Sequence, residues 1–210
     1  MDSLQYIASL IAKSPAWAQD LEKFAREHRV PIIDQISLQL LLQLVRLKRP
    51  ERILEIGTAI AYSTLHMHEA VPDAYITTIE KNEKMYAIAA KNIARFKKSE
   101  RIELIHGDAA EVIERFPPEK TFDFVFIDAA KSQYLRYFQS IAPHVLKGGV
   151  IVADNVLFKQ FVAQPEEAPK RFKTIVKNLR MFNEYVMKNE DFHSSLAPVG
   201  DGLMISIKRT

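Results

Sequence analysis

The sequence predicts an α/β fold in which helices cover both faces of a mostly parallel β-sheet. From Arg52 onward, five short apolar runs alternate with segments of helical periodicity; the runs are RILEIG, YITTIE, RIELIHGD, FDFVFIDAA and GGVIVADN. Strands that alternate with helices in this way pair in parallel through crossover connections. The C-terminal segment SSLAPVGDGLMISIKR differs, because two strand-like runs meet in a Gly-Asp-Gly turn. It predicts an antiparallel hairpin strand at the edge of the sheet.

Helices are predicted before the first strand. Ser14 and Pro15 have the form of a helix cap followed by a first-turn proline, and WAQDLEKFAREH repeats apolar residues at helical spacing. A second apolar helix is predicted from about Ile36 to Leu47. We expect the apolar stripes of these helices to pack in the core or to form a homodimer contact.

Length and composition fit one domain over residues 1–210, with N-terminal helices in 1–50 and a cofactor- and metal-binding core in 51–210. The chain has 210 residues, 48% of them hydrophobic, which is enough for a single buried core. It has neither a long apolar stretch nor a basic N-terminal leader, so we expect a cytoplasmic protein with no membrane contact. It has no cysteine, which excludes thiolate metal sites and a cysteine nucleophile.

Three strand ends have the form of a nucleotide-binding site. Gly57 follows the first strand and allows a tight turn close to a ligand. Glu80 ends the second strand 23 residues later, where a carboxylate can accept hydrogen bonds from ribose hydroxyls. Asp108 and Ala109 follow the third strand, at a position suited to an adenine. In open parallel sheets, ligands bind beyond the carboxyl ends of the strands, so these residues are expected to meet.

Two further strands end in acids. Asp128 follows FVFI, and Asp154 with Asn155 follows GVIVA. If these two acids and the amide converge on one cleft, the two carboxylates repel each other unless a cation or a proton lies between them. Oxygen ligands of this kind suit Mg2+ or Mn2+. Lys131 begins the next helix one turn beyond Asp128, so its amine can reach the same cleft; Tyr134 either lines the pocket or packs.

These motifs together resemble one family. E-I-G-T-x-x-x-Y-S, F-I-D-A-x-K-x-x-Y, G-G-x-I-V-x-D-N and P-x-G-D-G-L are similar to the class I methyltransferases, specifically the cation-dependent catechol and caffeoyl-CoA O-methyltransferase-like family. The resemblance covers about residues 30–210 and implies a Rossmann-like, seven-stranded fold. It implies that the residues binding S-adenosylmethionine are Glu55, Gly57, Thr58, Ser63, Glu80, Asp108, Ala109 and Asp128.

The same resemblance implies Asp128, Asp154 and Asn155 as metal ligands and Lys131 as the general base. One position departs from the family pattern: Ala61 stands where the family has glycine. An alanine methyl is small, so its effect on cofactor binding depends on whether the site requires a positive φ.

The substrate must present two adjacent oxygens if a cation is to orient and ionise the attacking hydroxyl. Catechols meet this requirement, and so does 5-hydroxyuracil, through its 5-hydroxyl and 4-carbonyl oxygens. A tRNA anticodon loop presents such a base unstacked. The formal net charge is +3, and basic residues cluster in two stretches: Arg46, Lys48, Arg49 and Arg52, and Lys159, Lys170, Arg171, Lys173, Lys177 and Arg180.

Among the family, the chain is most similar to bacterial tRNA 5-hydroxyuridine methyltransferases, which implies formation of 5-methoxyuridine at the wobble position. Three alternatives stay open: a catechol-like small-molecule substrate, an NAD-dependent oxidoreductase, and a non-catalytic RNA-binding module. The oxidoreductase alternative explains Gly57 and Glu80 but has no use for the acids at the fourth and fifth strand ends.

Overall fold

The computed structural model describes residues 3–96 and 100–210; residues 1, 2 and 97–99 of the predicted domain lie outside this part. Helices and strands alternate after an all-helical N-terminal segment. In chain order they are α1 (Ser3–Leu10), α2 (Ala16–His28), α3 (Gln35–Lys48), β1 (Arg52–Ile56), α4 (Tyr62–Ala70), β2 (Tyr75–Glu80), α5 (Glu83–Arg95), β3 (Ile102–His106), α6 (Ala109–Glu114), β4 (Phe122–Ile127), α7 (Tyr134–Ile141), β5 (Val145–Ala153), α8 (Lys173–Lys188), β6 (Phe192–Ala197) and β7 (Leu203–Lys208).

The seven strands form one sheet in the order β3-β2-β1-β4-β5-β7-β6. Strands β1 to β5 pair in parallel, and β7 pairs antiparallel with both β5 and β6. The predicted mostly parallel sheet with a C-terminal hairpin is therefore confirmed. The predicted edge position is wrong for β7, the strand that runs against the other six, because it lies between β5 and β6.

Burial explains which strand of the hairpin takes the edge. In β7, Leu203, Met204 and Ser206 are all buried, so this strand has partners on both sides and helices over its faces. In β6, His193 and Ser195 are exposed, as suits an edge strand that faces water.

Two apolar layers pack against the sheet. Alternate residues of β1 belong to different layers: Ile53 packs with α2, α3 and α4, and Leu54 packs with α7 and α8. The strand order reverses between β1 and β4, so the carboxyl ends of these two strands flank the point where ligands bind in open parallel sheets.

The N-terminal helices begin differently from one another. Asp34 caps α3, because its Oδ1 accepts hydrogen bonds from the backbone N–H of Ile36 and Ser37 at 2.9 and 3.0 Å. This confirms the predicted second helix. The predicted cap of the first helix is wrong: Pro15 precedes α2, and the Ser14 hydroxyl donates to Glu22 instead, at 2.5 Å.

Within residues 3–96 and 100–210, none of the helices has both the length and the apolar character needed to cross a bilayer.

Candidate active site

A cavity of about 790 Å³ lies beyond the carboxyl ends of the parallel strands. Nine of the eleven residues predicted for the site line it: Gly57, Thr58, Ser63, Glu80, Ala109, Asp128, Lys131, Asp154 and Asn155. Glu55 and Asp108 are not among the lining residues. The rule that parallel strands converge at their carboxyl ends therefore locates most of the site, and the two exceptions have separate structural explanations.

Gly57 is required by packing between strands. Its φ is +101°, and a Cβ placed on it would lie 2.1 Å from the backbone oxygen of Asp128. Any other residue would collide with the end of β4, which no side-chain movement could relieve. Close approach to a ligand was the predicted reason for this glycine, but the close approach is to Asp128. The glycine thereby helps fix the position of a predicted metal ligand.

Glu55 lies behind the cavity wall and is not among its lining residues, so its predicted part in cofactor binding would pass through the hydroxyl groups that it holds. The side chain is fully buried in β1. Its Oε1 accepts a hydrogen bond from Ser63 at 2.5 Å, and its Oε2 accepts hydrogen bonds from Thr64 and from Thr78, the latter at 2.6 Å. Burial raises the pKa of Glu55 to about 7, although these three hydroxyls oppose the rise.

The Glu55 network fixes which way two cavity hydroxyls point. Above a pH of about 7, where Glu55 is ionised, its carboxylate only accepts hydrogen bonds, so Ser63 and Thr78 each donate their single hydroxyl proton to it. The hydroxyls of Thr58 and Thr78 are 2.6 Å apart, and Thr58 must then donate to Thr78. Ser63 and Thr58 both line the cavity and offer it only lone pairs. This pair of oxygens suits a cationic N–H donor such as an ammonium group.

Glu80 is held by the chain that surrounds it. Its Oε2 accepts from the backbone N–H of Ala59 at 2.8 Å, and its Oε1 accepts from that of Asn82 at 2.7 Å. Each carboxylate oxygen has capacity for a further hydrogen bond. The side chain lines the cavity with both oxygens held by backbone N–H groups; its role in binding a ribose stays a prediction.

Asp108 stands beside the cavity. Its Oδ1 caps α6 by accepting from Ala110 at 3.1 Å, and its Oδ2 pairs with Lys81 at 2.8 Å. The hydrogen bond from Lys81 holds the pKa of Asp108 below its usual value. The neighbours Gly107 and Ala109 line the cavity in its place, so Asp108 holds the backbone that forms this part of the cavity wall.

The acids at the ends of β4 and β5 carry the signs of a cation site. Asp154 is fully buried; its Oδ1 accepts from the backbone N–H of Asn155 at 2.6 Å, whereas its Oδ2 has no partner among the described residues. Burial and then the charge of Asp128 raise the pKa of Asp154 to about 8. Burial also raises the pKa of Asp128, against the opposing charge of Lys131.

A divalent cation fits this donor set. A buried carboxylate oxygen without a partner is costly, and two adjacent acids repel, so a positive ion would satisfy both. Asn155 lines the cavity next to them with a positive φ of 56°. The described residues contain no group of three or more His, Cys, Asp and Glu side chains arranged for a metal, so an ion here would have two acidic ligands and an amide.

Lys131 lies where the sequence predicts it. It begins a short 3-10 turn before α7, and its Nζ is 3.6 Å from Asp128 Oδ1. Tyr134 packs: it is fully buried, and its hydroxyl donates to the backbone oxygen of Asp154 at 3.0 Å. Tyr134 therefore supports the end of β5, and Lys131 faces the cavity.

Sequence reasoning missed a wall of the cavity that comes from outside the strand–helix repeat. Residues 30–33, between α2 and α3, line it, as do Phe158 and Asp201. The segment V-P-I-I has no polar motif that could have marked it, and Asp201 reaches the site only because the β6–β7 turn packs on the loop after β5, where the backbone N–H of Lys159 donates to its Oδ1 at 3.1 Å.

The two basic clusters lie at opposite ends of the sheet. Arg46 and Arg49 are at the C-terminal end of α3, and Arg52 begins β1. They are therefore beside the amino ends of the parallel strands, away from the cavity. Lys159 follows the cavity residue Phe158, and Arg171 lies with it around the ring of Phe172, so part of the second cluster borders the cavity.

Ala61 adopts the conformation that favours glycine. Its φ is +66°, it precedes α4, and it is fully buried. The neighbouring Ala59 also has a positive φ, 47°. The turn after β1 thus tolerates alanine at two left-handed positions, at a cost of about 1 kcal/mol each relative to glycine.

Known O-methyltransferases are similar to this chain in sequence over most of its length. The profile of the O-methyltransferase family matches residues 12–209. Caffeoyl-CoA O-methyltransferase 5 of Nicotiana tabacum is 28% identical over 217 residues, covering 96% of this chain and 88% of that protein.

Solved structures are similar over nearly the whole chain. A proposed caffeoyl-CoA O-methyltransferase from Staphylococcus aureus superposes with a TM-score of 0.90 at 34% identity, covering 97% of this chain and 98% of that one. The O-methyltransferase TomG from Streptomyces achromogenes, involved in tomaymycin synthesis and solved with S-adenosylmethionine, has a TM-score of 0.85 at 26% identity over the full length of both chains.

Proposed function

This chain belongs to the O-methyltransferase family, and from that premise we propose that it methylates the 5-hydroxyl of 5-hydroxyuridine at the wobble position of a tRNA, giving 5-methoxyuridine. The general reaction follows from family membership and from the fold that the chain shares with TomG: the chain is an S-adenosylmethionine-dependent O-methyltransferase. The substrate and the cation are the parts we propose.

Different residues of the cavity would bind different parts of S-adenosylmethionine, the methyl donor. Glu80 would accept the two ribose hydroxyls, and the backbone of Gly107 and Ala109 would border the adenine. Ser63 and Thr58, as acceptors only, would receive the ammonium of the amino-acid portion, with Glu55 as the buried counter-charge. Replacing Glu55 with Gln should then weaken binding of S-adenosylhomocysteine and leave 5′-methylthioadenosine, which lacks the ammonium, unaffected in calorimetric titration.

Asp128, Asp154 and Asn155 would hold Mg2+ or Mn2+. When bound, such an ion lowers the pKa of a coordinated hydroxyl and fixes its direction. Lys131 would accept the hydroxyl proton on its Nζ. The oxygen then forms a bond to the methyl carbon while the carbon–sulfur bond breaks, leaving S-adenosylhomocysteine. Holding the two reactants in line supplies roughly 7 to 11 kcal/mol of the barrier.

The observation that carries the choice of tRNA is the cationic border of the cavity next to the proposed metal ligands. Lys159, Lys170 and Arg171 are exposed on the loop that continues from Asp154 and Asn155. When a base of a polyanionic substrate enters the cavity, the neighbouring phosphates would lie next to these basic residues. A single unstacked base of an anticodon loop has the size and the adjacent oxygens that the site requires.

A catechol-like small molecule is the second candidate, and the relatives support it. The tobacco and Staphylococcus aureus proteins are named for caffeoyl-CoA, whose caffeoyl ring bears two adjacent hydroxyls. The same cation and the same lysine would serve that ring, so the two candidates differ only in what surrounds the reacting oxygen.

A competition assay separates the two substrates. Purified protein, S-adenosylmethionine and Mg2+ are incubated with tRNA containing 5-hydroxyuridine, with the same tRNA carrying plain uridine, and with catechol. We expect nucleoside digestion to yield 5-methoxyuridine from the first tRNA and no methylated nucleoside from the second. Methylation of catechol with no product from either tRNA would transfer the activity to small molecules.

A further inference from the structure

A second groove adjoins the active-site cavity on its N-terminal side. It has a volume of about 580 Å³ and lies along the end of α2 and the start of α3. The segment 30–33 lines both this groove and the active-site cavity. A ligand that fills the cavity and continues past Val30 and Ile32 therefore enters this groove.

Two arginines dominate the charge that the groove offers to a ligand. Arg26 and Arg29 line it and are exposed, and neither forms an ion pair with another residue in the described part of the chain. Nearby acids are already engaged: Glu27 pairs with Lys23 at 3.9 Å, and Asp20 pairs with Arg95 at 2.9 Å. The guanidinium groups are thus free to bind an anion.

The acids within the groove are turned toward the protein. Glu22 Oε1 accepts hydrogen bonds from Ser14, Gln35 and Tyr62 at 2.5 to 2.9 Å. Asp34 is used by the cap of α3, with the Ser37 hydroxyl on its second oxygen at 2.6 Å. These carboxylates stabilise the groove wall, whereas the two arginines keep their guanidinium donors available to a ligand.

We propose that Arg26 and Arg29 bind the phosphates of the RNA strand next to the nucleotide whose base occupies the active-site cavity. This inference rests on the proposed tRNA substrate. A base inside the cavity leaves its sugar and phosphate at the rim, and the strand must continue over that rim in both directions. On one side of the cavity the RNA strand would lie in the groove, over Val30 and Ile32. On the other side it would pass Lys159 and Arg171.

Guanidinium chemistry fits this role. Arginine presents paired N–H donors that match two oxygens of one phosphate. The apolar floor of residues 30–33 suits the sugar edge, which has few charges to satisfy. Basic residues at a helix end also interact favourably with the helix dipole, so a test must separate phosphate binding from that purely structural benefit.

The chain itself supplies a matched control. Arg26 lies in the last turn of α2 and Arg29 is its left-handed C-cap, with φ 54°. Arg46 and Arg49 occupy the same two positions on α3, where Arg49 has φ 49°. Both pairs are exposed, and the second pair lies at the far end of the sheet. Arg26→Ala/Arg29→Ala and Arg46→Ala/Arg49→Ala therefore remove the same charge from the same local structure.

We expect Arg26→Ala/Arg29→Ala to lower kcat/KM for tRNA containing 5-hydroxyuridine by about tenfold or more, and to reduce the slope of log binding constant against log salt by about 1.4, as two single-stranded phosphate contacts predict. Arg46→Ala/Arg49→Ala should leave kcat/KM within about twofold of the unmodified protein and the salt slope unchanged. Affinity for S-adenosylhomocysteine should be the same in all three, which shows that each is folded.

Arg26→Lys/Arg29→Lys should keep the salt slope, because the charge remains, and lose part of the kcat/KM, because a lysine cannot form the paired contact. Equal effects of the two double alanine variants would overturn the inference, since charge alone would then explain them. If the unmodified protein transfers no methyl group to tRNA, the proposed function fails first. If the unmodified protein methylates the tRNA and Arg26→Ala/Arg29→Ala does so equally well, the proposed function stands and only this inference fails.

Discussion

Replacing Glu55 with Gln should remove a pH dependence that this carboxyl gives to the stability of the protein. Glu55 is fully buried, and its pKa is raised from 4.5 to about 7, first by burial. The folded protein therefore holds a proton on Glu55 between pH 4.5 and 7 that the unfolded chain has released. Stability from this group is complete below pH 4.5 and is lost as the pH rises through 7.

The size of this effect follows from the shift. A difference of roughly 2.5 pKa units, at 1.36 kcal/mol each, is roughly 3 kcal/mol of unfolding free energy. Gln keeps the volume and remains neutral, and its amide can accept from one hydroxyl of the network and donate to another. The variant should therefore gain roughly 3 kcal/mol relative to the unmodified protein between pH 4.5 and pH 8.

Urea unfolding at several pH values, followed by the fluorescence of Trp17 with EDTA present, measures this difference. His66 contributes a slope of opposite sign, because burial lowers its pKa to about 4, but that slope is common to both proteins and cancels in the comparison. A difference in unfolding free energy that stays constant within about 0.5 kcal/mol from pH 4.5 to 8 would refute the argument.

Three further predictions follow from the site. Lys131→Arg keeps the charge but cannot accept a proton, so it should lower the single-turnover methyl-transfer rate roughly 100-fold or more, as Lys131→Met should; a rate within threefold of normal would exclude a general base. Mg2+ at about 100 times its dissociation constant should stabilise the unmodified protein by about 2.7 kcal/mol and leave the melting temperature of Asp154→Asn unchanged; an equal shift in both would place the ion elsewhere. Ala61→Gly should change the free energy of unfolding by less than about 1 kcal/mol, because relief of the positive φ offsets the loss of a buried methyl group; thermal denaturation showing a loss above about 2 kcal/mol would contradict this.

Strand ends could be predicted from the sequence because parallel strands place their last residues on one edge. That rule brings Gly57, Glu80, Asp128 and Asp154 to one cavity without any knowledge of side-chain contacts. It does not place Glu55 in the cavity lining: Glu55 stands one place before a strand end, successive strand residues face opposite sides, and the hydroxyls that hold this carboxylate come from α4 and β2.

The remaining site features depend on contacts that the sequence does not encode locally. Gly57 is required by the backbone of Asp128, 71 positions away along the chain. Arg46, Arg49 and Arg52 belong to one of the two basic stretches of the sequence, but a helix end that leads into a strand start lies at the amino edge of a parallel sheet, away from the cavity. The groove of Arg26 and Arg29 was missed because helical charges are usually solvated and nothing in the sequence marks which of them border a cavity.

The most direct test of the account is transfer of labelled methyl from S-adenosylmethionine to tRNA containing 5-hydroxyuridine, measured with EDTA and again after Mg2+ is restored. The account predicts label in the tRNA that disappears with EDTA, returns with Mg2+, and is absent for Asp128→Asn under both conditions. Labelling of the tRNA that is unchanged by EDTA, or that persists in Asp128→Asn, would contradict a cation held by the acids at the ends of β4 and β5.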